Sequence, residues 1–201
     1  MLKQGWQWLT TKCQACSRIR LGLGVALVAL AVAGILMAGG AAGLAWTNGE
    51  GFCISCHEMR DNVYAEFKGT IHDKNRSGVR AICSSCHVPQ QPGPMLVRKV
   101  RATFELYGHF VTGVIDTKEK FGKHRYELAK RVWMRMKQTD SLECRNCHHD
   151  DAMDPDKQSA KARARHQKMK AEGKTCIDCH FGIAHNEPDG PGPQELKIEK
   201  N

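Results

Sequence analysis

The apolar positions of this chain follow two patterns. From Leu21 to Trp46, 26 residues pass without a charge, mostly Ala, Gly, Leu and Val. As a helix this run spans about 39 Å, enough to cross a hydrocarbon core of about 30 Å. Beyond it the apolar residues are sparse and spaced. Roughly Met95 to Thr139 reads mainly as helix, with Leu96, Val100, Phe104 and Val111 on one possible apolar stripe, interrupted near Gly108 and Gly113. Glu127 to Lys137 continues as a basic amphipathic helix. Another helix is predicted over Lys157 to Glu172, stopped at Gly173. After His185 the chain is charged and rich in Pro and Gly, which predicts disorder. The fold class expected is mainly α: one N-terminal transmembrane helix, then a small domain of short helices and loops.

Charge orients the apolar run. Lys3, Lys12, Arg18 and Arg20 precede it, and none of the first 49 residues is acidic. The positive-inside rule then keeps the N-terminus in the cytoplasm and exports the remainder of the chain. Trp46 suits the far interface, with Trp6 and Trp8 on the near side. A cleaved signal peptide is the rival, since Gly43-Leu44-Ala45 loosely resembles a cleavage site. Its apolar core, however, is normally about 7–15 residues. The reading is residues 1–20 cytoplasmic, 21–46 a retained anchor in the bacterial inner membrane, 47–187 a periplasmic domain, and 188–201 a disordered tail.

The exported part has little from which to build a core, because aromatics are only 6% of the chain. Its cysteines indicate what fills the space. All ten fall in C-x-x-C pairs, and four pairs are followed at once by histidine: Cys53/Cys56 by His57, Cys83/Cys86 by His87, Cys144/Cys147 by His148, and Cys176/Cys179 by His180. C-x-x-C-H is the pattern of covalent haem c attachment. The thiols bond the haem vinyl groups, and the adjacent imidazole reaches the iron. Zinc or disulfides would not explain a histidine after each second cysteine. Four covalently bound haem c groups are therefore expected. Cys13/Cys16 is followed by Ser17 and reads as two free thiols on the reducing side.

Haem also changes the charge argument. The formal charge of +9 could suggest nucleic acid or anionic lipid. Without the four N-terminal cations, 26 basic residues face 21 acidic ones, a balance of +5. Eight haem propionates would bring this down by of order 8 charges. No nucleic-acid motif is present, and the bilayer is the expected non-protein partner.

The histidines repeat. His57, His72 and His87 are fifteen apart, and His148, His166 and His180 are eighteen and fourteen apart. Each half reads haem site, lone histidine, haem site, so two dihaem modules are expected at about 50–92 and 140–185, joined by a helical segment. A low-spin electron-transfer haem needs a second strong axial ligand. His72 and His166, at matching places, and His185, five residues after His180, are the candidates. His149, His109 and His124 read as solvated or partly buried. Met59, two residues after His57, reads either as packing or as an unusual axial ligand of the first haem.

FCISCHEMRDNVY, GTIH, NRSGVRA, CSSCHVP, IDTKEKF, ECRNCH and GKTCIDCH-FGIAH, from about Glu50 to His185, resemble the NapC/NirT family of membrane tetrahaem quinol dehydrogenases. NrfH and CymA proteins and the N-terminal part of TorC belong to the same group. The resemblance implies quinol oxidation at the membrane face and delivery of electrons to a periplasmic reductase. Cytochrome cd1 nitrite reductase, periplasmic nitrate reductase or an N- or S-oxide reductase fits that role. It implies His72 as ligand of the third haem, His185 of the second, and His166 of the fourth or the first. It places unusual ligation at the first haem, at the position of Met59, and matches Lys99 and Glu105 to the quinol site. Six positions apart, those two do not share an ideal helix face. Many relatives carry histidine where Gln90 stands here, so that haem needs a replacement ligand or differs in spin state.

The leading function is thus a membrane-bound tetrahaem cytochrome c that oxidises quinol and supplies a reductase of denitrification or anaerobic respiration, nitrite or nitrate reductase foremost. The alternative is a terminal multihaem reductase of a small oxyanion such as nitrite, which needs an open iron.

Overall fold

The computed structural model describes residues 2–197, and side chains for 18–169 and 171–197. The readings of Trp6, Trp8, Cys13 and Cys16 fall on side chains outside that range, and the last four residues of the tail lie outside it altogether. Two compact units divide the chain, residues 1–47 and 48–201. Among the described residues there are helices, turns and loops and no strand.

The first unit is one helix, α1, Leu2–Asn48. Its apolar stretch from Arg18 to Asn48 is 31 residues long, and none of it is buried against protein. Leu21, Leu30, Ile35 and Met37 are each about 70% exposed. A helix this long and apolar on every side has the length and composition of a membrane span.

The second unit is built from short helices: α2 (Glu50–Cys53), a π-helix at Met59–Tyr64, α3 (Ala65–Phe67), α4 (Cys83–His87), α5 (Pro92–Phe110), α6 (Lys118–Gln138), α7 (Leu142–Arg145) and α8 (Ala160–Ala171). The long helical segment expected between the halves is two helices. Gly113 turns the chain at φ +59°, and Thr117 starts α6 by accepting from the Lys120 amide.

Only Phe67, Phe121, Trp133, Met136 and Ile177 are buried apolar side chains among the described residues. Trp133, Met136 and Ile177 cluster between α6 and the fourth motif, with Phe181, Tyr126 and Cys86 against them. A domain of this length normally buries far more. The apolar mass that the side chains lack matches what covalent porphyrins would supply.

Residues 188–197 depart from the disorder predicted by their composition. Pro193 is fully buried, and Lys137 Nζ donates to the carbonyls of Pro193 and Leu196, each at 2.7 Å. Tyr126 donates its hydroxyl to Pro191. Gly190, at φ +134°, lies against the Tyr126 ring, where a Cβ would come within 2.5 Å. Composition missed this because the groups that order the tail belong to α6.

Candidate haem centres

Each C-x-x-C-H motif occupies about one helical turn. His148 donates its backbone N–H to the Cys144 carbonyl at 2.8 Å, and His180 donates to that of Cys176 at 2.9 Å. A single turn returns the imidazole to the side on which the two thiols stand, so one planar group can meet all three. The third and fourth motifs are held together by Ser141, which is fully buried in a left-handed conformation at φ 53°. Its hydroxyl accepts from the Ile177 amide at 3.2 Å, inside the fourth motif.

The eight motif cysteines are all free thiols, but they are not equally enclosed. Cys53, Cys56, Cys83, Cys86, Cys144 and Cys176 are half-buried, whereas Cys147 and Cys179 are exposed. Identical motifs give no sign of this difference. In the fourth motif the two intervening residues, Ile177 and Asp178, turn inward: Ile177 packs on Trp133 and Met136, and Asp178 pairs with Lys137. That turn leaves Cys179 on the outer side, where its thiol stays accessible for attachment.

Every motif histidine faces a second imidazole. Ring centroids are 6.2 Å apart for His57 and His109, 6.1 Å for His87 and His185, 6.2 Å for His72 and His148, and 6.1 Å for His166 and His180. Two imidazoles on one metal at about 2.0 Å per bond hold their centroids about 6 Å apart. Four pairs at this separation, each beside two cysteines, fit four six-coordinate haems.

Three of the facing imidazoles are oriented through Nδ1, which leaves Nε2 for a metal. Nδ1 of His185 is 3.0 Å from the Val63 carbonyl in the π-helix, and Nδ1 of His166 is 2.8 Å from Gln158 Oε1. The third, His109, has Nδ1 2.6 Å from Oε1 of the buried Glu58 carboxylate, a charge contact without hydrogen-bond alignment, and the same oxygen is 3.5 Å from His57 Nε2. Neighbouring contacts hold the supporting loops. Glu66 accepts from the Asn186 amide, Arg125 donates to the Asn186 carbonyl, and the two side chains pair, which fixes the residue after His185. The His72 loop is clamped by Asp73, which accepts from the Gly69 amide and Arg80 Nε at 2.8 and 2.7 Å. Arg80 also grips Glu50 with both terminal nitrogens. The Gly69 amide and Arg80 hold the Asp73 carboxyl at about 2, well below the usual range.

Desolvation lowers His87, to about 3, and also lowers His180 and His185. Neutral imidazole is the form that binds metal. The attachment thiols of successive motifs adjoin. Cys53 hydrogen-bonds Cys83, which holds Cys53 at about 7 and raises Cys83. Cys86 feels Cys147, and Cys144, raised by burial to about 11, feels Cys176. Spatial order along the four sites thus follows sequence order.

The remaining candidates fall at separate places. His109, read from the sequence as a surface or partly buried histidine, is partly buried and is the imidazole opposite His57. Gln90 is exposed and opposes none of the four pairs. His166 stands opposite His180 in the fourth site. The halves are interlocked: His72 faces His148 of the third motif, and His185 faces His87 of the second. Lys99 and Glu105 are not brought together. They point about 120° apart around α5. Lys99, lowered by burial, sits where its charge reaches Cys53 of the first motif. Glu105 pairs instead with Arg98 at 3.0 Å, and Arg98 donates to the His87 carbonyl of the second. The carboxylate at the first pair is Glu58, which sequence reasoning passed over; its adjacency to His57 was the available signal.

A family model described as "NapC/NirT cytochrome c family, N-terminal region" matches residues 14–190. The cytochrome c-type protein NapC of Escherichia coli (strain K12) is 47% identical over 190 residues, covering 94% of this chain and 92% of that protein. The denitrification system component NirT of Stutzerimonas stutzeri is 52% identical over 172 residues, 85% of each chain. A putative tetraheme cytochrome-c type protein of Allochromatium vinosum is 49% identical over 149 residues, 74% of this chain and 80% of that one. No solved structure matches the chain.

Proposed function

The chain belongs to the NapC/NirT cytochrome c family, and from that premise we propose that it oxidises membrane quinol and passes the electrons to a periplasmic reductase of nitrite or nitrate respiration. The observation that carries this reading is the set of four facing imidazole pairs. Each facing pair would hold one haem iron through both imidazoles, and a haem so held would supply one-electron transfer in place of substrate binding. The terminal-reductase alternative requires an open iron and loses support at all four sites. When bound, each haem supplies a one-electron redox centre. The chain contributes the eight cysteines that attach the four haems, the eight histidines that hold the irons, and the short spacing between successive attachment sites.

Quinol releases two electrons and two protons; the protons pass to periplasmic water, and the site needs a hydrogen-bond donor to hold the oxygen that becomes the quinone carbonyl. Lys99, beside Cys53, fills that role, whereas Glu105 is engaged with Arg98 on another face. Topology supports the first centre as the entry point: His57 follows Trp46 by only eleven residues, and the run before Trp46 has the length of a membrane span. The N-terminus is cytoplasmic and residues 48–201 are periplasmic on this reading, by the charge asymmetry around the anchor.

Denatured, fully matured protein should retain four haems per chain in a pyridine haemochrome assay; three or fewer would remove the tetrahaem reading. The functional test is quinol-driven reduction of purified periplasmic nitrate reductase or cytochrome cd1 nitrite reductase by the protein in liposomes. Turnover of neither, with the protein alone reducing nitrite, would overturn the proposal. Lys99→Gln should slow reduction by quinol on the order of 10–100-fold, matching a charged hydrogen bond of about 1.5–3 kcal/mol. Reduction by dithionite should be unchanged.

A further inference from the structure

Helix α5 has two faces with different solvents. Leu96, Val97, Val100, Phe104 and Tyr107, with Val111 just beyond the helix, fall within an arc of about 100°. They are 51–72% exposed. The opposite arc carries Arg98, which donates to the His87 carbonyl of the second motif, and His109, which faces His57; Glu105, on the same arc, pairs with Arg98 and is itself exposed. The apolar face therefore points away from the haem centre that the same helix serves, and no porphyrin at His109 covers it. Leu106 and Phe110, also exposed, extend the apolar side past Lys99, which projects between them, and Arg101 borders the arc on its other side. Met95, in the first turn of α5, accepts through Sδ from Asn48 Nδ2 at 3.6 Å. Asn48 is the first residue of its unit and is bonded directly to the last residue of the anchor unit.

We propose that α5 lies in the interfacial zone of the membrane that α1 crosses, its apolar face among the acyl chains and Lys99 and Arg101 among anionic headgroups. An exposed apolar stripe with cations among and beside it has the composition of an in-plane interfacial helix. Lipid is favoured further because the chain enters this unit directly from a helix with the length and composition of a membrane span. The inner face of α5 then presents His109 one helix diameter, about 10–12 Å, from the acyl region. Quinol, which dissolves there, reaches the first centre beneath the helix. This last step rests on the quinol reading above; the lipid contact does not.

The test uses the full-length holoprotein in vesicles of phosphatidylethanolamine and phosphatidylglycerol. In a Cys13→Ser, Cys16→Ser background, a nitroxide is attached at Val100→Cys or Phe104→Cys, with Lys123→Cys on α6 as the aqueous reference. At Val100 and Phe104 the label should collide more often with dissolved oxygen than with a water-soluble nickel chelate, and at Lys123 the reverse. Labels at Val100 and Phe104 that behave like the one at Lys123 would overturn the proposal. So would labels shielded from both relaxants, which would mean that another protein surface or a second copy covers the helix. Quinol oxidation is read separately with Val100→Glu/Phe104→Glu. Lipid contact in the labelled proteins with an unaltered quinol rate in this variant overturns entry beneath α5 and leaves the docking in place.

Discussion

His109→Ala should convert one haem in four from low to high spin while the covalent haem content stays at four. Attachment depends on Cys53, Cys56 and His57, none of which the substitution touches. What it removes is the imidazole 6.2 Å from the His57 ring, and an iron left with one strong ligand takes a weak sixth ligand or none. EPR and near-infrared spectra of the folded variant read the change directly, and added imidazole should restore the low-spin signal. Met59→Leu should leave the spectra as they are. If the Met59 variant changes spin and the His109 variant does not, the first centre has the methionine ligation that the family resemblance implied. Glu58→Gln adds a finer test. The carboxylate 2.6 Å from His109 Nδ1 makes that imidazole a stronger donor to iron. Its loss should raise the midpoint potential of the first haem without changing its spin state.

The largest effect on folding is expected at the buried pair of Lys137 and Asp178. Their charged atoms are 2.8 Å apart, and both side chains are under one-tenth exposed. All three protons of the Lys137 ammonium have acceptors: Asp178 and the carbonyls of Pro193 and Leu196. Asp178 in turn accepts from the Thr175 amide, closing the turn that carries Cys176. Asp178→Ala leaves a cation buried without its counter-charge, a loss of about 3–5 kcal/mol. In a chain of this size that lowers the unfolding midpoint by on the order of 10 °C. Lys137→Met should cost a similar amount, although it lies far from the fourth motif in sequence. The double variant should cost clearly less than the two losses added. Thermal unfolding followed by circular dichroism measures all three, and strict additivity would show that the pair does not interact.

What could be read from the sequence was local chemistry. C-x-x-C-H is legible because attachment to one haem requires thiols and imidazole on one turn of one chain, and no distant residue can alter that requirement. The apolar run was legible for a similar reason, since a bilayer span is a matter of length and the absence of charge. His72, His166 and His185, each opposite a motif histidine, were singled out through repetition and offset, which carry information about duplicated units. The imidazole opposite His57 had no such mark. His109 lies on a helix outside both repeats, and only the rotation of α5 that directs Arg98 to the His87 carbonyl turns its ring toward His57. The same rotation separates Lys99 from Glu105, which sequence comparison had put at one site. Composition likewise could not foresee the ordered tail. Pro193 and Leu196 are held by the ammonium of Lys137, on a helix that closes earlier in the chain. Each of these outcomes depends on which faces of distant helices meet, and that relation exists only once the chain has folded.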